Sequence, residues 1–591
     1  MAVARATVIR DERAELAEIE DWYRGELAEP VVWPTLKWKP TRIGPTWQTE
    51  TVNGHEYWVL PERTLGWDML SWCGHWLQLT RGEPWKFTRE QARFLLWWYA
   101  VDSSGRWLFR DGVLQRLKGW GKDPLGATIC LFELVGPCRF YDWDGDRPVG
   151  RDHPDAWVQT AAVSLEQTKN TMRLLPGLLT AEARERYQIP VIGKEQVYAL
   201  GGTRFLQAVT SSPATLEGAR ATMVLLNESH HWLANNSGHD MADVIERNAT
   251  KSAGATARTL RITNAYEQGE DSVAERDREA YEAAQGNRRG KAGGTRLLYD
   301  SLEAPPEAPL SAEAAPEVLL GVRGDSVWLD IEGIVDSILD IRNPPSRSRR
   351  YWFNQIVAAE DAWMSPQEWD AIAAPDRAIE PGEPIVAFFD GSKSDDATAL
   401  VGCRISDGFV FLIDAWTPDP RDPARGIVPR AEVDRAVADM FDTWAVKAFF
   451  GDPSDVRDED GERFWEPLFD DWHGRYGRQL DLWAVRSGER THSISWDMRS
   501  TERQAAFTDA AQRFVTEVQD GRFAHDGNPL LRRHVLNARR RPNKWGITLG
   551  KEHRESARKV DAAVCAVGAR MVRRLLLNRE PTQKARSGRI W

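Results

Sequence analysis

The sequence predicts an α/β chain of several domains, the first built on a mainly parallel sheet and the last on a mixed sheet. Three observations carry this. Between residues 109 and 265 strand-like apolar runs alternate with helical ones, as βαβ units do. After the Pro-rich break "AAPDRAIEPGEP" (373–384), three apolar runs follow closely enough to pair as antiparallel hairpins. And 591 residues are too many for one core.

Composition narrows the class. An apolar fraction of 42% with 28 tryptophans can fill such cores. The five cysteines are scattered without a CxxC pair, which argues against zinc binding and disulfides and fits a reducing compartment. The N-terminus has no apolar signal region, and no run approaches the ~18 residues of a spanning helix, so a soluble intracellular protein is expected. A net charge of −11 weighs weakly against nucleic acid, but between Arg532 and Lys559 ten Lys/Arg stand against two Glu.

In chain order, residues 1–85 are Trp- and Pro-rich and form an extension. "TREQARFLLWWYAV" (88–101) predicts a helix, with Thr88 and Gln91 spaced as a capping box. Strands are expected at 157–163, 204–209, 221–228 and 258–265. Residues 302–317, rich in Pro, Ala and Glu, read as an exposed loop. Beyond the break come strands at 385–390, 397–403 and 408–416, a helix at 429–445, a strand at 446–452 and a helix at 555–576.

Two constellations carry chemistry. "RLKGWGKDPLG" (116–126) is a Gly-rich turn between an apolar run and a helix. Gly119 and Gly121 would let backbone N–H groups approach phosphates, and Lys122 would reach the β/γ oxygens. A surface turn would contain the same residues. About a hundred residues on, the strand "TMVLL" delivers Asn227 and Glu228 to its C-terminal end, the Walker B layout in which the Glu polarises a water. A third strand end, Thr263-Asn264, could sense the γ-phosphate or could equally be polar residues satisfied within a loop. Two positions depart from the pattern: Asp123 stands where a Ser or Thr ligates Mg²⁺, and Asn227 where an Asp does. The sum of charge is unchanged, so the carboxylate is expected to have changed sides of the metal.

The second constellation is three acids. Asp390 and Asp452 end two strands, and Asp561 is expected to interrupt an apolar helical face. Carboxylates so placed can hold two Mg²⁺ or Mn²⁺ ions on a phosphodiester. Asp395, Asp396 and Asp455 are expected around them.

Taken together, "REQARFLLWWYAVD", "LKGWGKDPLG", "VLLNESHHW", "RYWFNQIVAAEDAW", "DGNPLLRRHVLNARRR" and "RKVDAAVCAVGAR" resemble the large terminase subunit of tailed bacteriophages, with a flavour similar to those of actinobacterial phages. The resemblance spans about residues 85–575. It implies an ASCE-type (RecA-like) P-loop ATPase at 86–340, a linker subdomain at 341–380, an RNase H-like nuclease at 381–577 and a basic tail at 578–591. Carried over by position, ATP would be bound by Gln91, Arg116, Lys118, Gly119, Gly121, Lys122 and Asp123, with Asp123 and Asn227 at its Mg²⁺. Glu228 would be the catalytic acid and Thr263-Asn264 the coupling motif. Asp390, Asp452 and Asp561 would be the nuclease acids. Apart from the resemblance, the basic stretch either lies along the nuclease groove, with Arg539, Arg540, Arg541 and Lys544 contacting DNA, or is a solvated face. Implied partners are double-stranded viral DNA, a portal protein, a small terminase subunit and further copies in a pentameric ring. The implied place is the host cytoplasm at the procapsid, not the mature virion. The competing readings are a cellular helicase-nuclease or recombinase, and a DNA-docking scaffold with an inactive P-loop.

Overall fold

The computed structural model describes residues 11–79, 82–210, 218–251, 256–287, 297–358, 361–393, 396–418, 426–454, 457, 463–485, 491–551 and 558–579. The chain divides into two compact units, Met1–Val357 and Ala358–Trp591.

The first unit is organised by strands β1 (Thr41–Ile43), β2 (Asp111–Gln115), β3 (Trp157–Ala161), β4 (Gln196–Ala199), β5 (Arg204–Val209), β6 (Met223–Asn227), β7 (Arg258–Thr263) and β8 (Leu297–Glu303). They form one sheet in the order β1-β8-β2-β7-β6-β3-β5-β4. The six inner strands are parallel, and only the edge strands β1 and β4 run antiparallel to their neighbours. Strand β6 is buried along its whole length, as expected of an inner strand of a parallel sheet. Because β7 lies between β2 and β6, the turn after β2 and the carboxylate after β6 emerge at one sheet edge, either side of Thr263. This is the ASCE arrangement.

Helix α1 (Arg89–Trp98) starts with the Thr88–Gln91 capping box the sequence predicts. Helix α2 (Lys122–Val135) follows the Gly-rich turn, and α3 (Leu165–Leu178) follows β3. A Cβ at Gly126 would lie 2.7 Å from Leu225 Cδ2, so glycine lets α2 press against β6 and fixes the distance between Lys122 and Glu228.

Two expectations are corrected here. The described residues before 85 are no loose extension: Tyr23, Leu27, Met69, Leu70 and Trp72 belong to the same core as Phe94 and Phe132. The division between the units falls inside the stretch 341–380 expected as a linker. Within 302–317, Leu302, Ala304, Ala308 and Ala315 are buried. Leu302 and Glu303 are the end of inner strand β8, and small alanines seat the rest on the core.

The second unit carries β9 (Pro384–Asp390), β10 (Thr398–Arg404), β11 (Val410–Trp416) and β12 (Ala445–Asp452) in the order β11-β10-β9-β12. The first three are antiparallel and β12 joins β9 in parallel, which is the RNase H-like arrangement. Helices α4 (Arg430–Thr443), α5 (Thr501–Gln519), α6 (Pro529–Asn537) and α7 (Asp561–Leu577) surround it, with a hairpin of β13 (Arg539–Asn543) and β14 (Gly546–Gly550). A Cβ at Gly568 would sit 2.3 Å from Phe388 Cγ, so this glycine allows α7 its close approach to β9. Asp561 does not interrupt α7; it is the first residue of that helix, where a carboxylate meets the positive end of the dipole. The basic tail beyond residue 579 lies outside the described residues. Among the described residues no helix is long and apolar enough to cross a membrane.

Candidate active sites

In the first unit the sheet edge opens into a cleft of about 1040 Å³ lined by, among others, Gln91, Lys118, Lys122, Asp123, Glu228 and Asn264. The turn before α2 is left-handed at Gly119 (φ 83°) and Gly121 (φ 103°), a conformation that side chains resist. It curls the backbone so that the N-terminus of α2 faces the cleft. Lys122 is buried and its Nζ donates to the carbonyls of Arg116 (3.0 Å) and Leu117 (3.1 Å). Burial lowers its pKa, and the carboxylates of Glu228 and Asp123 oppose that shift. The ammonium is held by weak neutral acceptors that an anionic phosphate can outbid.

Asp123 and Asn227 touch. Asn227 Nδ2 donates to Asp123 Oδ1 at 2.9 Å and lies 3.4 Å from Thr171 Oγ1. Asp123 can only accept when ionised, so the contact fixes the amide orientation and turns Asn227 Oδ1 away; that oxygen is buried without a hydrogen-bond partner. An acceptor of this kind fits a water on a divalent ion bound by Asp123. An Asp at 227 would instead set two carboxylates against each other. If the cleft turns over ATP, as the sequence leads one to expect, Asp123→Ser and Asn227→Asp should each slow it, and the double variant should recover much of the loss. Steady-state rates of the four proteins over a Mg²⁺ titration check this; full activity of Asp123→Ser would contradict it.

Glu228 follows β6 in the left-handed region (φ 53°), which for a non-glycine residue stores about 1–3 kcal/mol of strain. Its N–H donates to Ile262 O at 2.8 Å, tying the end of β6 to β7. Burial raises its carboxyl pKa, and Lys122 acts against that.

The remaining predicted residues of this site separate. Lys118 and Asn264 line the cleft, and Asn264 Nδ2 donates to Arg116 O at 2.8 Å. Gln91 also lines it, while its Oε1 caps α1. Thr263 is fully buried and faces His230 rather than the cleft. Arg116 is a correction: it is 1% exposed, paired with Glu90 (2.7 Å) and Asp300, and donates to the carbonyls of Gln115 and Asp300. Its charge is used inside the fold and does not reach a nucleotide. Nothing in the local sequence announces its partners, which are 26 and 184 residues away.

In the second unit Asp390 and Asp452 are register partners on adjacent parallel strands. Asp561 is brought beside them by α7, and the charges of Asp561, Asp452 and Asp396 all act on Asp390. Burial, then these charges, raise the Asp390 pKa well above the ordinary range. Burial, chiefly, pushes Asp452 to about 6 and Asp561 to about 7. Asp452 Oδ1 accepts from the N–H groups of Ser454 (3.4 Å) and Met498 (3.3 Å), while Asp561 Oδ2 is buried without a hydrogen-bond partner. Buried, mutually repelling and under-bonded carboxylates fit divalent cations. Asp396 pairs with Lys551 and, at 3.5 Å, with Lys559. Asp395 and Asp455 lie outside the described residues.

The basic stretch is divided. Arg539 is 2% exposed and 3.5 Å from Asp361, so it points into the fold; its expected contact with DNA is corrected. Arg540 and Lys544 are exposed on the β13–β14 hairpin, Lys544 against the Trp545 ring. Arg541 is half-buried, donating to Lys551 O at 2.8 Å. Alternation along a strand decides this, which a cluster count cannot see.

The chain is 40% identical to the gene 13 protein of Mycobacterium phage L5 over 606 aligned positions, covering 93% of this chain and 97% of that one. The chain belongs to this gene 13 family. The gene 13 protein of Mycobacterium phage D29 is 39% identical over the same span. No protein-family model matches. Among solved structures, the large terminase of bacteriophage HK97 covers 86% of this chain and all of its own at 17% identity and a TM-score of 0.45. The large terminase of a thermophilic bacteriophage, solved in complex with ADP, covers 83% of this chain and 100% of its own at 10% identity and a TM-score of 0.29.

Proposed function

We propose that this gene 13 family member is a large terminase subunit, an ATPase that drives double-stranded viral DNA into a procapsid and an endonuclease that cuts the concatemer. The observation that carries the reading is the pairing, in one phage-type chain, of a Lys122/Glu228 cleft on a parallel sheet with an Asp390/Asp452/Asp561 cluster on an RNase H-like sheet. Either alone has many uses. Together they supply a motor and a cutter for the same polymer.

In the first unit Lys122 and the N–H groups of the glycine turn receive the β/γ-phosphates, Glu228 takes a proton from the attacking water, and Asn227 orients water beside Asp123. In the second, Asp390, Asp452 and Asp561 would hold two Mg²⁺ or Mn²⁺ ions. When bound, the divalent ions of both sites supply positive charge at the reacting phosphoryl oxygens. Arg540, Arg541 and Lys544 contact DNA phosphates. The partners are a portal protein, a small subunit and copies of this chain in a ring, met in the host cytoplasm at the procapsid.

The test is ATP turnover by the purified full chain with and without double-stranded DNA. DNA should accelerate hydrolysis, and the same preparation should cut plasmid with Mn²⁺ in the absence of ATP. Cutting without any ATP turnover would make the chain a nuclease scaffold with an inactive P-loop.

A further inference from the structure

His230 and His231, next to Glu228, have no role in ATP hydrolysis as proposed. We infer that Glu228, His230 and His231 form a binding site for one first-row transition cation of the Zn²⁺ class, and that its occupation withdraws Glu228 from catalysis. The second half rests on the ATPase reading; the first does not.

Hydrogen bonding around Thr263 accommodates the His230 tautomer that a metal would need. The Thr263 hydroxyl donates its single proton to Asn264 O at 2.9 Å. It accepts the His230 backbone N–H at 3.2 Å and lies 3.0 Å from His230 Nδ1. The hydroxyl can accept from Nδ1 while donating to Asn264 O, and this is the tautomer that leaves Nε2 for a metal. Nε2 then carries a bare lone pair. It is buried without a hydrogen-bond partner, 3.3 Å from Glu228 Oε2. An unshared ring nitrogen and a carboxylate oxygen facing each other at this distance repel. A cation between them turns the repulsion into two bonds.

The spacing suits such an ion. Ligands at about 2.0–2.1 Å in a tetrahedron are about 3.3 Å apart. One nitrogen of each ring and one Glu228 oxygen all lie within 4.8 Å of one another. The two rings lie side by side, centroids 4.0 Å apart, and half-buried His231 lines the cleft. Thr263 on Nδ1 is the outer partner that a ligating histidine uses to fix its tautomer. Two imidazoles select zinc, cobalt or nickel over Mg²⁺, which prefers oxygen and its own waters. Glu228 and His231 both line the cleft, from which an ion would enter.

The test uses the full chain carrying Asp390→Asn and Asp561→Asn, so that the second unit's acids do not compete. Titration with Co²⁺ should give one ion per chain with the intense visible absorption of a tetrahedral nitrogen-ligated site, and Zn²⁺ should displace it. His231→Asn should weaken binding at least about tenfold, and His230→Gln likewise, with melting temperature as the control for folding. In the unsubstituted chain with Mg²⁺ in excess, Zn²⁺ should suppress ATP hydrolysis, a chelator should restore it, and His231→Asn should need at least about ten times more zinc. No tetrahedral cobalt spectrum, or binding undiminished in His231→Asn, overturns the site; a proton shared between Glu228 and His230 would give that result. Stoichiometric binding with hydrolysis unaffected overturns the inhibitory role. A chain that binds the ion but never hydrolyses ATP fails the proposed function and leaves the site standing.

Discussion

Replacing Asp561 by Asn should abolish DNA cutting, by at least about 100-fold, and leave ATP hydrolysis at its normal rate. The carboxylate is 7% exposed, sits at the first position of α7 and has an oxygen with no hydrogen-bond partner, so its protein neighbours give it little reason to be charged. Asn keeps the shape and can still face the helix N-terminus, but it offers a cation no charge. The same change separates a binding role from a packing one. With divalent ions removed and at a pH where both carboxyls are ionised, Asp561 repels Asp390, so the variant should melt at the same or a higher temperature than the unsubstituted chain. Calorimetry in chelator beside a plasmid-nicking assay reads both. A variant that cuts normally would reduce the three acids to chance neighbours.

Glu228→Gln should lower the turnover of ATP by roughly 10²–10⁴-fold while leaving nucleotide binding nearly intact. Gln preserves size and the strained backbone at φ 53° equally well, so the loss is of proton acceptance. Lys122 keeps its place through carbonyl contacts that do not involve Glu228. Binding of a fluorescent ATP analogue and steady-state hydrolysis, measured on one preparation, separate the two effects.

Much of this was readable in the sequence because the chemistry sits at the ends of apolar strands. The run before Asn227, and those before Asp390 and Asp452, are strands of the expected place and length, and burial of the strand leaves its polar end as the informative residue. What was not readable depends on partners far along the chain. Arg116 looks like a phosphate ligand in its turn, yet Glu90 and Asp300 claim it from other elements. Asp561 reads as an anomaly inside a helix because the helix start has no strong local signal; Val560, the residue before it, offers no cap. Arg539 was lost among its basic neighbours, although a strand turns alternate residues inward. Thr171, which reaches Asn227, carries no motif at all.

The central claim, that one chain holds two separable engines, is tested most directly by measuring ATP hydrolysis and plasmid cutting side by side on the unsubstituted chain, Glu228→Gln and Asp452→Asn. Each variant should lose one activity and keep the other at close to the full rate. A single substitution that removes both activities, or a Glu228→Gln protein that still hydrolyses ATP at the full rate, would contradict it.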